Sequence, residues 1–220
     1  MPELLKPVIF IVAGHGGINP ANGQYTTNGK RASHSGIKLH DKSTFFEGVG
    51  NRHAALYLAA ACIENGIVPI LVHDDFADLS LSKRANKIKQ IYSTLPPYVR
   101  ARCAVIELHS DAATTADARG AATFTTTGNT RSDILAAFLL TEFDALQQTV
   151  SGFQVRRNST TYLSGDYEKN FAIITAAPCP AVLIEMGFFT NTDDVKLLID
   201  GSFYRQLAQS ITHAFLSFIV

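Results

Sequence analysis

The chain is predicted to fold as a single α/β domain, with a twisted, mostly parallel sheet and helices on both faces. Three observations carry that expectation. Short runs of branched apolar residues, VIFIVA at Val8 to Ala13 and AVLIEM from Ala181 among them, suit strands covered on both sides. Segments with helical periodicity lie between these runs. Strand and helix therefore alternate, which favours parallel strands joined by crossover helices.

Taken in order, Val8 to Ala13 is the first strand, and GHGGINPANG then turns the chain outward. Positions 24–46 are rich in Gly, Ser, Thr, Asn and Lys and show little periodicity, which predicts a long surface loop. Val49, His53, Leu56, Ala60 and Ile63 recur at steps of four and three and mark one face of a helix that stops before Gly66. Glu47 falls in or just before its first turn. Positions 67–72 form a second strand, which Pro69 assigns to a sheet edge.

Leu81, Ala85, Ile88 and Ile91 mark a basic-faced helix that ends before Pro96 and Pro97, and positions 104–108 (AVIEL) form a third strand. A helix over about 132–150 follows, then an irregular polar stretch through Lys169. The strand AVLIEM comes next, and a last helix over about 203–219 places Leu207, Ile211 and Phe215 on one face.

Composition excludes several roles. With 46% hydrophobic and 17% charged residues and 19 basic against 19 acidic, the chain lacks the positive field that nucleic-acid binding requires. Cys62, Cys103 and Cys179 are odd in number and widely separated among small or apolar neighbours, so they read as buried free thiols. The first apolar stretch is too short for a signal-peptide core or a membrane span, so the expectation is cytoplasmic synthesis without a signal peptide.

The chemistry concentrates in four segments: VIFIVAGHGG, EGVGNRHAA, AVIELHSDA and AVLIEMGFFTN. Each sets a His or Glu at the end of an apolar strand or the start of a helix. His15 lies just past the first strand, at the sheet edge where α/β folds bind ligands, and its glycine neighbours permit close approach of the backbone. Glu47 opens a helix, where the dipole favours a carboxylate with or without a metal.

His109 closes the strand in which Val105, Glu107 and His109 share one face. Glu185 stands in a strand so apolar that burial raises its pKa toward the range of a general base. Together they read as a zinc site plus a general base. Two imidazoles and one carboxylate leave a coordination position open for water, which points to hydrolysis. His34 and His40, in the loop after His15, are further candidates as substrate contacts or alternate ligands. His73 also competes for the metal, whereas His53 and His213 read as ordinary helix residues.

In order, Gly14 to Gly17, Glu47, His109 and the block from Pro180 to Asn191 resemble the zinc-dependent N-acetylmuramoyl-L-alanine amidases of the Amidase_3 type. The similarity runs from Val8 to the final helix. It also takes in Asp78 to Leu81, with Arg84 and Asn86. The resemblance implies that His15, Glu47 and His109 hold Zn2+ and that Glu185 is the catalytic glutamate.

It further implies peptidoglycan as substrate, cut between N-acetylmuramic acid and L-alanine. Positions 1–220 are then one catalytic domain with no separate wall-binding domain, acting on the wall after release or delivery. No delivery or regulatory protein is identified from the residues. A zinc peptidase or other amidohydrolase acting on wall peptides, and a non-catalytic peptidoglycan-binding protein, stay open as alternatives. The chain departs from the family around His109, where Glu107-Leu108-His109-Ser110-Asp111 replaces the usual Ser-x-His-Ala-Asn, so Glu107 reads as either a supporting carboxylate or a substrate contact.

Overall fold

Residues 6–37, 43–115, 117–161 and 165–220 are described by the computed structural model. The first half of the chain contributes β1 (Val8–Ala13), β2 (Arg31–Ser33), β3 (Thr44–Phe46), α1 (Glu47–Glu64), β4 (Val68–Leu71), α2 (Leu81–Thr94), α3 (Pro97–Arg100) and β5 (Cys103–Asp111). The second half contributes β6 (Ala122–Thr125), α4 (Arg131–Thr149), β7 (Tyr167–Glu168), α5 (Ala172–Ala176), β8 (Ala181–Phe188), α6 (Thr192–Leu198) and α7 (Gly201–Ile219).

A six-stranded sheet has the order β4-β1-β5-β8-β6-β7. Its first four strands are mutually parallel, and β6 runs antiparallel to β8. The expected mostly parallel sheet is present, with β4 and its Pro69 at an edge, where the missing N–H costs no ladder bond.

Strand alternation divides the core in two. Ile9, Ile11, Ile106, Leu108, Val182 and Ile184 pack under α1, α4 and α7. Phe10, Val12, Val105 and Leu183 face the other way, toward α2 and α5. Both faces are therefore covered, so β1 is wholly apolar and β5 and β8 are apolar apart from the polar residues they carry toward the rim and Glu107, because these strands have no solvent side.

The structure adds elements that the residue pattern did not announce. The expected loop over 24–46 contains the antiparallel pair β2–β3, with Arg31 opposite Phe46 and Ser33 opposite Thr44. Strands of three residues are too short for a period of two to register. His40 lies outside the described residues. The polar stretch before Lys169 likewise hides β7, and β6 lies unannounced between β5 and α4; the two extend the sheet beyond β8.

The apolar stripe read on α1 proves to be its outer side. Leu56, Ala60 and Ile63 are exposed, and the buried side carries Glu47, Asn51, Arg52, Ala55, Leu58 and Cys62. The inner side combines small residues with polar ones that serve the sheet edge, so apolar periodicity pointed to the wrong face. Cys62 and Cys103 are buried thiols as expected, while Cys179 is half-buried.

Two neighbouring leucines on α1 test this orientation. Leu58→Ala is expected to cost about 2–5 kcal/mol in urea unfolding, the range for a fully buried leucine, whereas Leu56→Ala changes stability by about 0.5 kcal/mol or less.

Candidate metal centre

Sheet register places the candidate residues on one rim. β1, β5 and β8 are adjacent and parallel, with Ala13 opposite Leu108 and His109 opposite Glu185. The ladder continues one bond past β1, from Gly14 N–H to the Leu108 carbonyl, before the chain turns out at His15. A register irregularity between His109 and Asp111 bends β5 at this rim, as bulges beside functional sites do. The start of α1 reaches the same rim, where Glu47 N–H donates to the Lys30 carbonyl.

Two glycines permit the close approach. A Cβ on Gly14 would overlap the His109 ring, and one on Gly48 would run into the Gly16 carbonyl oxygen. His15 itself has φ of 63°, a left-handed conformation unfavourable for a residue with a side chain. Two buried guanidinium groups hold it there: Arg52 Nη1 donates to the His15 carbonyl at 2.9 Å and Arg84 Nη2 at 3.0 Å.

Arg84 also donates to the Ala13 carbonyl and pairs with Asp78. Asp78 accepts in turn from Thr27, whose hydroxyl accepts from Gly16 N–H. Arg84 belonged to a segment with a visible sequence signal. Arg52 did not, because on sequence it is one more polar residue of α1.

At the centre, Glu47 Oε1 lies 3.2 Å from His15 Nε2 and 3.0 Å from His109 Nδ1. The two imidazoles stand edge to face with centroids 5.0 Å apart. One ligating atom from each of His15, Glu47 and His109 falls within 4.8 Å of the other two, close enough to share one metal ion. Asn51 and the Ser110 N–H turn donors toward the same Glu47 oxygen.

Two buried carboxylate oxygens, Glu47 Oε2 and Glu185 Oε2, have no hydrogen-bond partner among the described residues. The cation beside the former is Lys30, with Nζ at 3.6 Å. Unsatisfied buried carboxylate oxygens are expensive. A cation between the imidazoles, with water at the Glu185 side, answers that cost, so these residues fit a metal.

Electrostatics agree. Burial alone would raise the Glu47 pKa, but hydrogen bonds and charge from His109 and His15 hold the carboxyl well below its ordinary range. His109 behaves in the opposite way: burial disfavours its charge, yet hydrogen bonds to Glu107 and Glu47 lift it to about 10. Glu185 is pushed up to about 8, first by burial, with His109 opposing and the charges of Asp111 and Glu47 adding.

The other described histidines lie outside this group. His34, an alternate ligand on sequence grounds, is buried with Nε2 at 2.9 Å from the Phe189 carbonyl and Nδ1 at 3.3 Å from Thr192 Oγ1. Its position is thus that of a tie between the loop before α1 and the end of β8. His73, just beyond β4, is lowered to about 4 by burial and by Arg52, Arg84 and Lys87, and it remains outside the cluster.

Comparison with known proteins gives the family and the fold. Residues 9–217 match the family model described as N-acetylmuramoyl-L-alanine amidase. The amidase AmiC of Neisseria meningitidis serogroup B is 48% identical over 44 residues, a match covering 20% of this chain and 11% of that protein. The chain thus aligns with only a small part of that curated relative.

Among solved structures, an N-acetylmuramoyl-L-alanine amidase from Clostridium difficile 630 superposes with a TM-score of 0.72 at 22% identity, covering 97% of each chain. CwlD from Clostridioides difficile, solved in complex with the GerS lipoprotein, gives 0.69 at 21% identity, covering 97% of this chain and 98% of that one. At these identities the structures establish a shared fold.

Two measurements follow from the site. A Gly14→Ala chain is expected to lose metal affinity by about tenfold or more in isothermal titration, because the added methyl displaces the ring of His109, a candidate ligand whose position must be held within fractions of an ångström. Glu185 binds its proton more tightly folded than unfolded, from an ordinary 4.5 to about 8. Metal-free protein should therefore lose stability as pH rises across that window. Thermal unfolding at stepped pH should show it falling several degrees below Glu185→Gln by pH 8, with the difference vanishing below pH 4.

Proposed function

The chain belongs to the N-acetylmuramoyl-L-alanine amidase family, and we propose that it is a zinc-dependent peptidoglycan hydrolase. It cleaves the amide bond between N-acetylmuramic acid and the L-alanine of the stem peptide. The observation that carries this reading is the convergence of His15 Nε2, Glu47 Oε1 and His109 Nδ1 on one point, beside the buried carboxyl of Glu185. Zn2+ is the ion we assign, because two imidazole nitrogens and one carboxylate oxygen form a three-donor set typical of catalytic zinc. Bound there, it would supply Lewis acidity to a coordinated water and to the scissile carbonyl.

The remaining chemistry belongs to side chains of this protein. Glu185 lies across the ladder from His109 with a carboxylate oxygen that has no hydrogen-bond partner among the described residues, and its proton affinity is raised toward neutrality by burial. It accepts one proton from the attacking water as the new C–O bond forms. It returns that proton to the alanine nitrogen as the C–N bond breaks, so the amine leaves neutral. Arg52 and Arg84 keep His15 in its left-handed conformation and so fix the direction of its ring.

Residues 1–220 serve in this reading as the catalytic domain, with peptidoglycan as partner. No helix among the described residues is long and apolar enough to cross a membrane.

Mass spectrometry of fragments from purified peptidoglycan tests the assignment. Stem peptides with a free N-terminal L-alanine, released only with zinc present and suppressed by a chelator, are expected; cleavage inside the peptide contradicts it. Glu185→Gln is expected to retain zinc, measured by elemental analysis, while kcat falls about 10²–10⁴-fold.

A further inference from the structure

Glu107 is a buried carboxylate that the hydrolytic scheme does not use. It lies on β5 two residues before His109, on the same face of the strand, and its side chain is 2% exposed. Its Oε1 is 3.4 Å from His109 Nε2, while the opposite ring nitrogen, Nδ1, faces Glu47 Oε1 at 3.0 Å. Arg84 places positive charge near Glu107, but its N–H groups are directed to the Ala13, His15 and Leu79 carbonyls and to Asp78. The next inward residue on that face, Val105, packs in the apolar core.

A carboxylate buried in such a strand is costly unless a specific partner answers it. Here the partner is the far side of a candidate metal ligand. Serine is usual at this position in the resembled family, so the carboxylate is a feature of this chain.

We propose that Glu107 is a positioning residue for the metal centre. It accepts a hydrogen bond from His109 Nε2–H, which selects the tautomer whose unprotonated Nδ1 faces the point shared with His15 and Glu47. It also fixes the rotation of the ring. The second reading of Glu107, as a substrate contact, fails on burial, because a side chain 2% exposed does not reach a polymeric substrate. The inference rests on the reading of His15, Glu47 and His109 as a metal site. A carboxylate behind a ligating imidazole raises its basicity and orients it, and removal of such a partner typically weakens metal binding by about 10–100-fold.

The test is zinc affinity by competition with a chromogenic chelator, for the wild type, Glu107→Ala, Glu107→Gln and His15→Ala. The d–d absorption of the cobalt(II) forms is recorded in parallel. Glu107→Ala is expected to bind zinc about 10–100-fold more weakly and to change the cobalt spectrum. Glu107→Gln, whose side-chain carbonyl still accepts from Nε2–H, is expected to fall between it and the wild type. A structural role alone would lower the thermal stability of the metal-free variants and leave zinc affinity and the cobalt spectrum unchanged.

If both Glu107 variants bind zinc within twofold of the wild type while His15→Ala does not, the role of Glu107 is overturned and the metal site stands. If the wild type binds no zinc, or His15→Ala binds as tightly as the wild type, both readings fall.

Discussion

Glu47 is buried at the start of α1 with one oxygen between two imidazoles, and the surrounding structure is organised around the cost of keeping it there. An isolated carboxylate in that position would be penalised by several kcal/mol. Contacts of 3.2 Å to His15 and 3.0 Å to His109, together with donors from Asn51 and the Ser110 backbone, offset the penalty. None of these partners reaches the carboxylate unless the ends of β1 and β5 and the first turn of α1 occupy one rim. The parallel register of the sheet secures that arrangement.

Support for this arrangement extends well into the molecule. His15 holds a left-handed backbone conformation because two buried guanidinium groups grip its carbonyl from α1 and α2. Gly48 lets the start of α1 approach the Gly16 carbonyl, and Gly14 leaves room for the His109 ring. The same rim places Glu185 beside His109 with an oxygen that no group among the described residues satisfies. Three convergent donors beside a carboxyl whose pKa burial raises toward neutrality suit the proposed hydrolysis, in which geometry and charge must be set before the substrate arrives.

Much of this was legible in the residues. Apolar runs such as Val8 to Ala13 announced the central strands because burial on both faces favours that composition. His15, His109 and Glu185, picked out near the ends of such runs, do lie on one rim, with Glu185 inside β8 instead of at its end. The outward side of α1 was misleading. The helix is apolar on the exposed side at Leu56 and Ile63, and its inner side carries Arg52 and Asn51, which serve the site. β2, β3, β6 and β7 escaped because strands of two to four residues are defined by their long-range partners, which local periodicity does not record. His34 shows the limit for ligand assignment: its place in the loop after His15 matched that of a ligand, yet its ring nitrogens are turned toward Phe189 and Thr192.

A crystal structure of the zinc-loaded protein, with anomalous data collected on both sides of the zinc absorption edge, tests the metal centre most directly. One anomalous peak about 2.0–2.2 Å from His15 Nε2, Glu47 Oε1 and His109 Nδ1 is predicted, the distance range of zinc bonds to imidazole and carboxylate. A fully loaded crystal whose zinc peak lies elsewhere, or whose peak lacks any one of these three ligands, would contradict it.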